Sequence, residues 1–423
     1  MLRSMVLGGV VSAMCLLAAP WSAVADEKAP EKPKSQADKP EVKWTPAVTP
    51  KPLSEQVKRG MNWLVEHQLQ KGAWGQGEES AHMGGGSQMK DVPSVADTCM
   101  AALALIRAGN TPAQGEYAAN VLRAVEFVCG QIEESDKDSL YVTPTRGTRV
   151  QGKLGPYIDT FTCSLLLAEV KARMPDAGSQ KRVAAALDKL LVKIQKNQRA
   201  DGTWGGEGWA TTLQQNMAVK GLNRVVQNGA GMVDDKVRER SELQARQSFD
   251  RASGKFSAAG SAGVELYSAG ANLSNIAQNA TTNALQESKV RAQAMSAPTP
   301  AARREAQRTI ARFEAVKKDQ SDAEHAVIAR LDDKQFIAGF GSNGGEEFLS
   351  YMNIGESLVV KGGDTWKSWD KSISQNLDRV QNSDGSWSGH HCITGRTFCT
   401  AAALLVLMVD RSPQPISEKM KQR

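Results

Sequence analysis

Beyond residue 53, apolar residues recur at three- and four-residue spacing, and Gly, Pro and capping residues break this pattern into pairs of segments. The spacing predicts helices over 53–68 and 95–108, then 114–131 and 159–174, then 181–198 and 209–228. Further pairs follow at 233–250 and 264–284, 300–331 and 346–360, and 365–381 and 394–410. Thr299-Pro300 reads as an N-cap followed by Pro at the first helical position, which opens the long charged helix of the fifth pair. The second member of each pair is small and apolar, as at 99–106, 163–168 and 401–408, whereas the first carries charge on one face, as at 181–196. A helix that is apolar nearly all round is a buried helix, so the pairs sort into an inner and an outer set.

One phrase occurs three times where a first helix ends. Gln68 is followed by Gly72 and Trp74, Gln198 by Gly202 and Trp204, and Gln381 by Gly385 and Trp387. The Gly stops the helix, and the Trp is a large plate that can pack back on the stack with its indole N–H bonded. Trp74 and Trp204 are 130 residues apart and Trp204 and Trp387 are 183 apart; two and three intervening pairs give a period of about 60 to 65 in both intervals. The first copy extends back through Arg59-Gly60 and Trp63-Leu64. It resembles the glutamine-tryptophan repeat of squalene cyclases and protein prenyltransferases. That resemblance implies an all-α fold, an (α/α)6 toroid of six helical hairpins, over residues 53–411.

The ends of the chain read differently. Arg3, an apolar run over 5–19 and the small residues Ala23-Val24-Ala25 form a signal peptide, with cleavage expected after Ala25 and a periplasmic or secreted product. Residues 26–52 alternate Lys, Glu, Asp and Pro and read as a disordered linker, and residues 412–423 as a flexible tail. No later run reaches the roughly 18 apolar residues of a membrane span. The formal net charge is +6, with 52 basic residues scattered among 46 acidic ones and no basic stripe interleaved with aromatics, so nucleic acid is not an expected partner. Five Cys remain after export, an odd number that argues against a disulfide framework.

Side chains at the starts of the inner helices would surround one mouth of a toroid. Candidate catalytic residues there are Asp97, Asp159, Glu207, Glu346 and Glu347, with His390 and His391 in the loop before the last inner helix. Asp97 and Asp159 also suit the plain role of helix caps. Squalene-type cyclases use an acidic D-x-D-D motif and a wall of rings. This chain has no such motif, and its predicted inner helices offer mainly Phe161, Tyr267, Phe348, Tyr351 and Phe398. Prenyltransferases of this fold hold zinc with a D-x-C pair and a later His. Asp97, Cys99 and His391 match that set in part, which makes zinc the one cofactor to test, although the His falls in a different repeat. His82 lies beside Gly84-Gly85-Gly86, which lacks the ending of a phosphate loop and reads as mouth lining.

Two functions stay open. The first is a binding or envelope-interaction module that takes a small-molecule, lipid or glycan ligand in the cavity. The second is a cavity enzyme acting on a lipid, an isoprenoid or a polysaccharide. Binding is favoured because each catalytic motif departs from its pattern. A deep apolar funnel would fit lipid or isoprenoid, and a shallow polar cleft would fit glycan or peptide.

Overall fold

Each helix expected from the apolar period is present in the computed structural model, which describes residues 44–80, 88–205, 207–341 and 343–415. The chain is mostly helical. A short strand β1 (Trp44–Pro46) precedes α1 (Glu55–Glu66) and α2 (Val95–Arg107); α3 (Ala118–Glu134), α4 (Arg149–Leu154) and α5 (Ile158–Val170) follow. Then come α6 (Ala177–Lys196), α7 (Thr211–Gln227), α8 (Asp235–Gln247) and a two-residue hairpin, β2 (Phe249–Asp250) with β3 (Lys255–Phe256). The last part holds α9 (Glu265–Ser296), α10 (Pro300–Ile328), α11 (Lys334–Ala338), α12 (Gly345–Lys361), α13 (Gly363–Arg379), α14 (Arg396–Leu407) and β4 (Pro413–Pro415).

Every residue of α2 and of α5 is buried, as their all-round apolar composition requires. Helices α2, α5, α7, α9, α12 and α14 pack each on the next, and α14 packs on α2. The six run parallel, because their cross-contacts advance together. On α2 and α5, Cys99 meets Cys163 and Arg107 meets Glu169. On α7 and α9, the Asn216, Asn223 and Gln227 amides donate to Asn275, Asn279 and Thr282. This polar ladder accounts for the Asn- and Ser-rich composition of α9, whose amides pair across the interface instead of facing water. Helices α1, α3, α8, α10 and α13 each contact two inner helices.

The repeated phrase is a repeated fastening. Trp74, Trp204 and Trp387 are buried, and their indoles donate to the carbonyls of Leu64, Ile194 and Leu377 at 2.7, 2.7 and 2.9 Å, each ten residues back. The amides of Gln68, Gln198 and Gln381 donate to the carbonyls of Gly72, Gly202 and Gly385 and also to those of Asn120, Val237 and Gln56 on another outer helix. Three residues beyond each of those carbonyls stands an Arg. Arg123, Arg240 and Arg59 return a bond to the same Gln side chains. The three glycines need both their left-handed φ (84°, 85° and 91°) and their lack of a Cβ, which would lie 2.3 to 2.7 Å from the carbonyl oxygens of these arginines. The third copy joins the end of α13 to α1, across 325 residues.

Gln381→Ala is therefore expected to cost about 1–2 kcal/mol by removing one half-buried and one exposed bond between the last and first outer helices. Urea denaturation beside Gln68→Ala checks this. Equal midpoints for Gln381→Ala and the wild type would mean that this contact does not fasten the two ends of the helical array.

Three features depart from the expectations. Helix α9 runs to Ser296 rather than 284, because Leu285 to Ala294 are mostly good helix formers and nothing interrupts them before Pro298. The expected linker contributes β1 and the expected tail contributes β4, which pair antiparallel from Trp44 opposite Pro415 to Pro46 opposite Pro413. Proline suits such edge pairing because it has no N–H to leave unbonded. Two short helices, α4 and α11, occupy loops. The expected signal peptide, most of the linker, the His82 loop and the last eight residues lie outside the described residues. Among the described residues, no helix is long and apolar enough to cross a membrane.

Candidate functional site at the N-terminal ends of the inner helices

Six parallel helices place their positive dipole ends together, and acidic residues gather there. Cations gather at the other end. Asp97, Asp159, Glu346 and Glu347 are buried in the first turns of α2, α5 and α12. Asp159 is a clamp between helices: its two oxygens accept the Ala96 backbone N–H at 2.8 Å and the Gln151 amide at 2.7 Å. Burial raises its pKa against those bonds. Asp97 accepts the Ser94 hydroxyl at 2.5 Å on one oxygen, and its other oxygen has no hydrogen-bond partner. Burial, with Asp159 nearby, pushes its pKa up to about 7.

Glu346 and Glu347 form the densest part of the site. Glu347 Oε1 accepts the Tyr267 hydroxyl at 2.5 Å and the Phe340 N–H at 3.0 Å, with His391 Nε2 3.4 Å away. Glu346 accepts the Ile393 N–H at 3.2 Å. Burial first, and the neighbouring Glu347 second, push the Glu346 pKa up to about 8. One oxygen of each glutamate is buried without a hydrogen-bond partner. The loop that carries His391 and Ile393 turns at Cys392, a non-glycine residue at φ 58°. Such a conformation is costly and persists only where its surroundings hold it, here at the acids.

The outer edge of this end is aromatic. Trp209, just before α7, is 40 % exposed, and Phe340, in the loop before α12, is 55 % exposed. Their rings meet edge to face at 6.0 Å, Phe340 meets His391 at 4.9 Å, and His391 meets His390 at 6.1 Å. Lys153 lies 5.3 Å over the Trp209 ring. The result is a row of rings from three loops, with buried carboxylates beneath it.

The axis itself is filled. All six inner helices line a cavity of only about 20 Å³ between Met100, Met217, Met352 and the cluster of Arg107, Glu169, Lys220, Arg224 and Glu356. Lys220 donates to Glu356 at 2.7 Å and to Asn353 at 2.6 Å, while Arg107 and Arg224 share Glu169 at 3.7 and 3.6 Å. That volume holds about one water, far below the roughly 300 Å³ at which small-molecule pockets begin. The few rings that the inner helices offer, Phe161, Tyr267, Phe348, Tyr351 and Phe398, are all fully buried in the core.

Of the residues picked out from sequence, Asp97 and Asp159 lie near each other and Glu346, Glu347 and His391 form one cluster. Glu207 is exposed, two residues before Trp209. The Cys99 thiol donates to Cys163 Sγ at 3.7 Å, in a fully buried setting. Among the described residues, no group of three or more His, Cys, Asp and Glu side chains is placed to hold a metal ion. Sequence reasoning missed Tyr267 as the Glu347 partner, Gln151 as the Asp159 partner, and the exposed pair Trp209 and Phe340. Trp209 carried a signal, a tryptophan in a glycine-containing loop outside the repeated phrase.

No family model and no curated protein matches this chain. Among solved structures, a chain described as a polysaccharide lyase is similar at 12 % identity and a TM-score of 0.44, over 84 % of this chain and 96 % of that one.

Proposed function

We propose that the protein is an exported binding module on an (α/α)6 toroid of six hairpins. Its ligand is a glycan that stacks on the exposed rings of Trp209 and Phe340, with His390 beside them and His391 buried behind, at the acid-lined end. The cyclic packing of six parallel inner helices and the three repeated Gln-Gly-Trp fastenings support the toroid. The observation that carries the function is the pair Trp209 and Phe340. Two large rings sit exposed and in mutual contact in loops at one end of the inner helices, where a sugar face can lie on them and its hydroxyls can meet polar neighbours. The filled axis disfavours a lipid or isoprenoid chain threaded into the ring. A binding role rather than catalysis fits the burial of Glu346, Glu347 and Tyr267, whose reacting atoms do not reach the surface.

Trp209→Ala is expected to weaken glycan binding at least tenfold, and Phe340→Ala several-fold, with melting temperatures near the wild type because both rings are exposed. Affinity electrophoresis through gels of soluble neutral and acidic polysaccharides measures this. Equal retardation of Trp209→Ala and wild type on every glycan that retards the wild type, or no retardation of the wild type at all, would count against the ring row. Release of shortened sugars during the assay would point to the enzyme reading, with Glu346 as the acid to mutate first.

A further inference from the structure

The net charge of the chain sits in one place. Residues 289–318 hold eight Lys or Arg against two Glu, a net +6 that equals the formal charge of the whole sequence, and the remaining residues carry 44 of each sign. The scattered charge expected from composition is thus a balanced body plus a basic segment. That segment is the tip of the α9–α10 hairpin. Gln227, the last residue of α7, bonds Thr282, and α9 continues fourteen residues farther, about 20 Å. No residue from 284 to 312 is buried.

Several of these cations are uncommitted. Arg291 pairs with Glu287 and Glu314, Arg312 reaches Glu239 and Glu242, and Lys318 pairs with Asp322. Lys289, Arg303, Arg304, Arg308 and Lys317 form no ion pair among the described residues. Phe313 and Val316 set the inward face of α10. At 100° per residue, Lys317, Arg303, Lys318, Arg304 and Arg308 then spread over the opposite half of the helix, along about 22 Å. A solvated helix that only needed solubility would mix its charges, whereas here the basic residues of 289–318 give way to a run with five acids and one Arg over 319–333.

We propose that this arm docks the protein on an anionic lipid surface. The arm forms a groove of about 690 Å³ with the start of α8, but Arg303, Arg304, Arg308 and Lys317 do not line it; they are exposed on α10 outside it, where a flat surface can meet them. Arginine, three of the five uncommitted cations, is the side chain whose planar fork suits phosphate oxygens. At the tip, Met295 is 84 % exposed beside small Ala and Pro residues, an apolar point of the kind that enters a headgroup layer. The direction is also consistent. The arm extends past the C-terminal end of α7, and at that same end β4 receives the Arg224 guanidinium on the Pro413 carbonyl and pairs with β1, the start of the described chain. Docking there leaves the Trp209 ring row, at the N-terminal ends, facing away from the surface.

Sedimentation of the mature chain with vesicles of phosphatidylcholine, alone or mixed with phosphatidylglycerol, tests this independently of any glycan. Binding is expected only with phosphatidylglycerol, to fall as salt rises, and to drop roughly hundredfold in the variant R303E/R304E/R308E, since each basic residue near an anionic surface contributes about fivefold. An unchanged circular dichroism melt shows that this surface variant is folded. The proposal fails if the wild type ignores phosphatidylglycerol, if the triple variant binds it equally, or if the arm's charge matters only for duplex DNA or an acidic polysaccharide. Loss of glycan binding in Trp209→Ala leaves this result untouched.

Discussion

Trp387→Ala is expected to lower stability by about 3–5 kcal/mol, the range for removing a fully buried Trp, with Trp74→Ala and Trp204→Ala close behind. The three rings are equivalent in contact. Each is sealed from solvent, each donates its indole N–H to a carbonyl ten residues earlier, and each has its backbone N–H bonded by an inner-helix side chain: Thr98, Gln215 and Thr400. The cavity left by truncation would add an unpaired carbonyl to the lost apolar contact. Trp387 carries one more duty. Its ring lies where a Cβ on Gly60 would come within 2.7 Å, so it packs between the last outer helix and the first. For a domain of this size the loss corresponds to a fall of roughly 4–6 °C in melting temperature. If Trp387→Ala melts with the wild type while Trp74→Ala does not, the first and last pairs are held together by something other than the repeat.

The legible part of the fold was the part governed by local rules. Apolar period and caps located the twelve long helices of the described residues to within a few residues at most ends, most cleanly for α2, α5 and α14, which are apolar nearly all round, and least well for Asn-rich α9. The Gln-Gly-Trp phrase pointed to a fastening and Arg59 stood in its first copy, but the pairing of Arg59, Arg123 and Arg240 with the three Gln side chains could not be found. Those arginines lie on separate helices at unequal distances, 55 residues from Gln68 to Arg123 and 42 from Gln198 to Arg240, so no fixed spacing marks them. The same limit applies at the site. Asp97, Asp159, Glu346 and Glu347 stand at helix starts and were visible, whereas Tyr267 meets Glu347 across 80 residues. The filled axis was likewise hidden, since whether Met100, Met217 and Met352 close a ring or line a funnel depends on helix separation, not on composition.

The acids should make the protein less stable as pH rises from about 5 to 8, a trend opposite to that of a protein held by surface carboxylate pairs. Burial takes Glu346 from its ordinary 4.5 to about 8 in the fold, and Asp97 from 3.8 to about 7. Between those values the folded state holds a proton that the unfolded state has released. Stability then falls with pH by about 1.4 kcal/mol per unit for each such group, is fully present below the unfolded pKa, and is gone above the folded one. Integrated over its window, each acid costs on the order of several kcal/mol at pH 9 relative to pH 4. Glu346→Gln keeps the size of the side chain and an acceptor for the Ile393 N–H without an ionisable group. It should therefore match the wild type near pH 5 and exceed it by pH 9. Asp97→Asn should do the same with its midpoint about one unit lower. Melting temperatures of the three proteins across that range decide the matter. A wild-type curve that rises between pH 5 and 8 with the Glu346→Gln curve parallel to it would mean that Glu346 is ionised in the fold, compensated by a cation or by an opening of the site to water.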